Sequence, residues 1–248
     1  MITNRPSPCL SAPLPTDPTI RPCLDATGLV KTYGPTTALA GVDVSIPAGQ
    51  AVAVMGPSGS GKTTLLHCLS GILAADSGSV RLTLPGAQVR VEALDAEGRA
   101  ALRREHLGFV FQQGVLVPEL TAVENTALPL MLNGVDRPTA ENRAAQWLQA
   151  LGLAGMETRR IGQLSGGQAQ RVAIARAQVC DPAVVFADEP TGALDQTTAH
   201  EIMTALLATT VERGRTLVLV THDPDVAARC QRVLTIVDGR ITADQLTR

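Results

Sequence analysis

An α/β fold with a mainly parallel sheet, interrupted by an inserted helical lobe, is what this 248-residue sequence predicts. Three observations point there. Short apolar runs of buried-strand length alternate with helical patterns along most of the chain. A glycine-rich loop, GPSGSGKT, stands between the first such run and the helix after it. From about residue 116 to 180 the strands give way to three helical patterns in succession.

Six prolines fall within residues 1–22, so residues 1–23 read as an extended or disordered tail ahead of one domain over 24–248. QAVAVM (50–55) reads as a buried strand and KTTLLHCLSGI (62–72) as the helix that follows the loop. LGFVFQ (107–112), AVVFAD (183–188), TLVLVTH (216–222) and RVLTIVDG (232–239) are further strands. TTAHEIMTALLATTVERG (197–214) is a helix whose apolar face is Ile202, Met203 and Leu206. LTAVENTALPLML, TAENRAAQWLQALGL and GGQAQRVAIARAQV form the helical lobe, a subdomain at about 113–180.

Apolar residues make up 45% of the chain, enough for a large core without metals or disulfides. The net charge of −2 argues against a nucleic-acid partner, which draws a basic patch. Five scattered cysteines, with no C-x-x-C pair, fit a reducing compartment and small buried apolar roles. No run approaches the ~18 apolar residues of a membrane span, and the N-terminus shows no signal core. A cytoplasmic protein is therefore expected, unless a partner holds it at a membrane. Only two lysines occur, Lys31 and Lys62, against nineteen arginines. A retained lysine hints at a local need.

GPSGSGKT, Gly56 to Thr63, fits G-x-x-x-x-G-K-[ST] after a buried strand and at the start of a helix. Its backbone through Gly56, Pro57, Ser58, Gly59, Ser60 and Gly61 can curl so that successive amides face phosphate oxygens. Lys62 supplies a compact point charge for the β and γ phosphates, where the rigid fork of arginine fits poorly. Thr63 offers its hydroxyl to Mg²⁺, and Thr64 follows in the first helical turn. The N-K-x-D guanine reader of GTPases is absent from the sequence, and DAEG (95–98) follows no apolar strand, so it reads as a chance D-x-x-G.

VVFADE (184–189) is a strand ending in two carboxylates that alternation sends to different sides. Asp188 suits Mg²⁺, held through water, and Glu189 suits the water that attacks a γ phosphate. His222 ends TLVLVTH, at the sheet edge where ligands of parallel sheets gather; it can serve the γ phosphate or be structural. Gln112 ends GFVFQ beside Gln113, and the residues alone do not choose between them. Tyr33, the only tyrosine, can stack on a purine or merely pack. In QLSGGQAQR (163–171), Ser165, Gly166, Gly167 and Gln168 open a helix whose first amides attract anions, making a second phosphate-grasping loop.

Together these segments resemble the nucleotide-binding subunit of ABC transporters over about residues 25–248. GPSGSGKT matches that family's Walker A loop, GFVFQ its Q-loop, LSGGQ its signature and VVFADEP its Walker B strand. ALD (193–195) matches the D-loop and VTHD the switch-histidine loop, all in the family's order. The resemblance implies a phosphate-loop ABC ATPase core with an antiparallel β portion beside the parallel sheet. It implies ATP and Mg²⁺ as cofactors, with Tyr33 on adenine and Gly56–Thr64 on the phosphates. Thr63 and Gln112 hold the metal with Asp188 in support, Glu189 is the base, and His222 is the γ-phosphate switch. Two subunits pack head to tail, so Ser165, Gly166, Gly167 and Gln168 of one meet the nucleotide of the other, and Asp195 couples the two sites. The partners implied are a second copy and an integral-membrane permease, docked at a groove around residues 112–125. That places the chain peripherally on the cytoplasmic face of the inner membrane.

LRREHLGFVFQ, LTAVENTALPLML and ADEPTGALD are most similar to the subgroup of lipoprotein release, macrolide or antimicrobial-peptide export and a cell-division pair. Energising export or extraction of a lipoprotein, peptide or drug-like substrate is the first expectation. Regulation of an envelope or cell-division machine through a transmembrane partner, with nothing transported, is the second. A soluble ATPase acting on ribosomes or DNA is not expected, since that class usually needs two nucleotide domains, a long coiled-coil insertion or basic surfaces, and this sequence shows none of them.

Overall fold

Residues 22–84, 86–112 and 115–247 are described by the structure, a computed structural model. Residues 1–21, most of the proline-rich stretch, lie outside them, as does Gln113. The first strand begins at Pro22, within the stretch read as tail.

The larger sheet holds every strand read from the sequence. In chain order these are β3 (Ala51–Met55), β6 (Leu107–Phe111), β7 (Val184–Asp188), β8 (Thr216–Val220) and β9 (Arg232–Val237), with β10 (Arg240–Leu246) added. Their spatial order is β10-β9-β3-β8-β7-β6, all parallel except β10 at the edge. The remaining strands, β1 (Pro22–Tyr33), β2 (Thr36–Pro47), β4 (Ser77–Leu84) and β5 (Ala87–Arg90), form an antiparallel sheet in the order β2-β1-β4-β5.

Strand alternation explains the layering. Val52, Val54, Val184, Phe186, Val218 and Val220 face one side of the parallel sheet. There they meet Leu65, Leu66 and Leu69 of α1 (Lys62–Leu69) and the antiparallel sheet's Leu24, Leu29 and Ile46. Ala51, Ala53, Val185, Ala187, Leu217 and Leu219 face the other side. Their partners are Val172 and Ile174 of α5 (Gly166–Gln178) and Ile202, Met203 and Leu206 of α6 (Gln196–Thr210). Each fully buried leucine or valine contributes about 2 kcal/mol.

The helical lobe comprises α3 (Ala122–Leu132) and α4 (Arg137–Ala150), packed through Ala127, Leu130, Ala140 and Ala144 against Val179 at the end of α5. Thr121 and Glu124 close a capping box on α3, and Asp136 caps α4. DAEG has a local purpose: Asp95 accepts the Gly98 N–H at 2.7 Å and starts α2 (Ala96–His106). A short α7 (Pro224–Ala227) follows β8.

Candidate functional site

Four neighbouring strands deliver four functional loops to one edge. The order β3-β8-β7-β6 places the ends of Met55, Val220, Asp188 and Phe111 side by side. Gly56, Glu189 and Gln112 come directly after them, and His222 follows Val220 by one intervening residue, Thr221. Ligands of parallel sheets bind along this carboxyl edge.

The loop after β3 is built tightly against its own chain. A Cβ on Gly56 would lie 2.0 Å from the Ile236 carbonyl oxygen, and one on Gly61 would lie 2.2 Å from that of Ala38. Their φ values, +150° and +104°, also suit glycine. Ser60 N–H bonds the Pro57 carbonyl and Gly239 N–H bonds that of Ser60, fixing the curl. Ser60 Oγ is buried with no hydrogen-bond partner, an orphaned group inside the loop. Lys62 Nζ donates to the carbonyls of Gly56 (2.9 Å) and Pro57 (2.8 Å), so its charge lies across the loop's mouth. Thr64 lies in the first turn of α1.

Thr63 and Asp188 are brought together: the hydroxyl donates to Oδ1 at 3.3 Å. Asp188 continues the side of β7 that carries Val184 and Phe186, which is the α1 side. Burial raises its carboxyl pKa, and the Thr63 bond opposes that. Burial likewise lowers the pKa of His67 on α1. One hydroxyl and one carboxylate are hard oxygen donors that fit Mg²⁺, which completes its shell with water and phosphate oxygens. Gln112 is not seen beside them. Its Nε2 lies 2.9 Å from where a Cβ on Gly192 would sit, over the turn after Glu189.

Glu189 and His222 are also brought together, with Nδ1 2.9 and 3.0 Å from Oε1 and Oε2. Glu189 has φ +47°, a conformation unfavourable for a residue with a side chain. Its N–H to the Val220 carbonyl (2.9 Å) and the Gly192 N–H to its own carbonyl (3.1 Å) hold it there.

Tyr33 ends β1, 48% exposed, and pairs with Thr36 where the β1–β2 turn begins. Since Ala38 of β2 abuts Gly61, this turn overlooks the phosphate loop. The LSGGQ segment lies elsewhere. Ser165 caps α5 through a box with Gln168: Ser165 N–H to Oε1 at 2.9 Å and Gln168 N–H to Oγ at 3.3 Å. That box engages neither the Gly166 nor the Gly167 amide, and Ser165 and Gly166 are exposed. Gly166 packs on Leu194, and a Cβ on Gly167 would strike Thr198 at 2.6 Å. Asp195 caps α6, accepting from the Thr198 N–H (3.0 Å) and hydroxyl (2.6 Å); those bonds lower its pKa.

Sequence reasoning missed Gln170. It is buried on α5, and its Nε2 donates to the Phe111 carbonyl (3.0 Å) and the Pro190 carbonyl (2.8 Å). It thus ties the LSGGQ helix to the residues beside Gln112 and Glu189. Arg176, farther along α5, donates to the Val115 carbonyl at 2.8 Å, beyond Gln112. Only the oddity of a glutamine facing the core could have flagged the first.

This edge, with its enclosed loop, hydroxyl–carboxylate pair and kinked glutamate, defines a phosphate-loop nucleotide-binding protein. The sequence model of the family described as ABC transporter matches residues 39–192. The lipoprotein-releasing system ATP-binding protein LolD of Bordetella pertussis is 44% identical over 90% of this chain and 96% of its own. The macrolide export ATP-binding/permease protein MacB of Bradyrhizobium diazoefficiens is 47% identical over 85% of this chain but 31% of its own. The chain spans about a third of the length of such export ATP-binding/permease relatives. Among solved structures, the dimeric structure of MJ0796, a bacterial ABC transporter cassette, has a TM-score of 0.82 and 37% identity over 91% of this chain and 99% of that one. The same cassette, dimeric in a post-hydrolysis state with ADP and Pi, has a TM-score of 0.81, again with 37% identity over 91% and 99%. The chain belongs to the ABC transporter family.

Proposed function

We propose that the chain is the ATP-hydrolysing subunit of a bacterial transporter that exports or extracts a lipoprotein, peptide or drug-like substrate. One observation carries this reading: Gly56, His222, Glu189 and Gln112 follow four adjacent strand ends on one edge. Similarity to LolD and MacB supports the transporter class.

Nucleotide phosphates displace the Gly56 and Pro57 carbonyls from Lys62, and the loop amides of Gly56–Thr63 close around them. Thr63 and Asp188 would hold Mg²⁺, with Gln112, which lies beside Gly192, as a further ligand. The cation, when bound, neutralises charge on the phosphate oxygens. Glu189 takes a proton from the water whose oxygen attacks the γ phosphorus, while the bond to ADP breaks. His222, already in contact with Glu189, orients that carboxylate and reaches for the γ phosphate. The amides of exposed Gly166 and half-buried Gly167 serve the nucleotide of a second copy packed head to tail, and Asp195 links the LSGGQ helix to that interface. ATP binding shuts the homodimer and hydrolysis reopens it.

A groove of about 490 Å³ suits the permease. Ile72, Phe109, Phe111, Leu128 and Leu132 line it with Arg103, between α2–β6 and α3–α5. Its α3 lining is Leu128, Pro129 and Leu132, and no described residue of the stretch 112–125 that the resemblance implies lines it. Exposed Leu132 and Met131 stand by it, and Phe111 leads directly to Gln112. A short amphipathic segment seated there would press on the residue beside the metal. No helix among the described residues is long and apolar enough to cross a membrane. In this reading, which the likeness to LolD and MacB supports, the chain sits on the cytoplasmic face of the inner membrane through its partner.

Glu189→Gln tests the assignment. It is expected to bind ATP normally and to lose turnover by about 10²–10⁴-fold, the range for a general base. Rapid hydrolysis by the variant would remove Glu189 from that role.

A further inference from the structure

Of the two lysines this arginine-rich chain retains, Lys62 serves the phosphate loop and Lys31 has no role in the scheme above. Lys31 Nζ is 2.7 Å from Asp76 Oδ1 and lies over the Tyr33 ring, 5.9 Å from its centroid. Asp76 Oδ2 accepts both the Thr32 N–H and the Thr32 hydroxyl at 2.7 Å. The Asp76 N–H donates to the Val30 carbonyl at 2.8 Å. One residue therefore grips Val30, Lys31 and Thr32, the three that precede Tyr33. Asp76 stands in the loop between α1 and β4, and α1 begins at Lys62.

We propose that Lys31 and Asp76 form a brace that presets the Tyr33 ring for the base of the nucleotide. Both are positioning residues for adenine recognition, and the inference rests on the reading that Tyr33 stacks on adenine. Tyr33 is half exposed, so its ring would otherwise sample rotamers and lose that freedom on binding. An ammonium over one face restrains the ring and leaves the other to the purine. The brace also explains why arginine does not stand here. A guanidinium takes both oxygens of a carboxylate, whereas the ammonium uses Oδ1 and leaves Oδ2 to Thr32. Through Asp76 the adenine platform is referred to the loop leaving α1, the helix that starts at the phosphates.

Calorimetric titration with ADP and with inorganic triphosphate, both with Mg²⁺, tests this on the native chain, Lys31→Met, Asp76→Asn and Tyr33→Ala. Lys31→Met and Asp76→Asn are expected to weaken ADP about five-fold, the scale of a cation–π contact, and to leave triphosphate unchanged. Their tyrosine near-ultraviolet circular dichroism should fall as the ring loosens. Lys31→Arg should lie between. Equal weakening of both ligands, or unchanged ADP affinity in Lys31→Met, overturns the brace; Lys31→Met disturbs no backbone bond and so reports even where Asp76→Asn folds poorly. Unchanged ADP affinity in Tyr33→Ala would instead remove the stacking reading itself.

Discussion

Two helix starts in this chain suit phosphate, and they are built in opposite ways. The Gly56–Thr63 loop is enclosed: backbone from β2 and β9 fills the space a side chain would need at Gly61 and Gly56, and Ser60 is buried within it. The Ser165–Gln168 turn is open: Ser165 and Gly166 face solvent, and its packing is on Leu194 and Thr198 of the next segment. Both supply helix N-terminal amides, yet only the first has walls. Walls make a binding site that one chain can operate. A wall-less turn works only when something outside the chain brings the phosphate to it. The contrast is the physical basis of the head-to-tail reading.

The largest effect expected from breaking this contrast is at Gly56. Gly56→Ala drives a Cβ into the Ile236 carbonyl, so nucleotide binding by a single chain should vanish in a titration. Lys62→Ala leaves the loop intact but removes its charge. A roughly ten- to hundred-fold loss of ATP affinity follows if two charge-assisted hydrogen bonds go, each worth about 1.5–3 kcal/mol and partly replaced by water. Gly166→Glu attacks the open turn instead. A carboxylate at a helix start does not harm the helix, but it repels an incoming γ phosphate. Single-chain ATP affinity should be unchanged while turnover falls about a hundred-fold; loss of single-chain binding would show that the turn serves its own nucleotide.

A smaller effect is expected at Gln170, which joins the open turn's helix to Phe111 and Pro190. Gln170→Ala leaves the buried Pro190 carbonyl unpaired, costing about 1–3 kcal/mol, and takes a partner from the part-buried Phe111 carbonyl. Turnover should drop several-fold with little change in the ATP concentration that half-saturates it. The smallest is a pH test of the Lys31–Asp76 pair. The bonds from Lys31 and Thr32 hold the Asp76 carboxyl down at about 2, and Asp76 raises the Lys31 pKa. The contribution of this pair is present above the ordinary aspartate value and is lost as pH falls through about 2. The ratio of ADP affinities between native and Lys31→Met should thus stay flat from about pH 6 to about pH 9.

Much of the larger sheet was legible because its strands are buried on both faces and read as unbroken apolar runs. The antiparallel sheet was invisible residue by residue. β2 mixes exposed and buried positions, and β1 carries register shifts at Ala26/Leu29 and Lys31/Thr32 that erase a period of two. Only resemblance supplied it. α2 escaped because a single buried leucine, Leu102, gives it no apolar stripe. At the site, Gly56–Thr63, Asp188, Glu189 and His222 were legible as motifs at strand ends. Gln112 needed the resemblance to be preferred over Gln113. Asp76 and Gln170 were unreadable, since each acts through bonds to residues 44 and 59 positions away.

Sedimentation of the Glu189→Gln chain with saturating ATP or ADP tests the composite pocket most directly. The account predicts a particle of twice the single-chain mass with ATP and single chains with ADP, and single chains with either nucleotide once Gly166→Glu is added. ATP bound stoichiometrically to a chain that stays single at every concentration, while the native chain under the same conditions hydrolyses at its full rate, would contradict it.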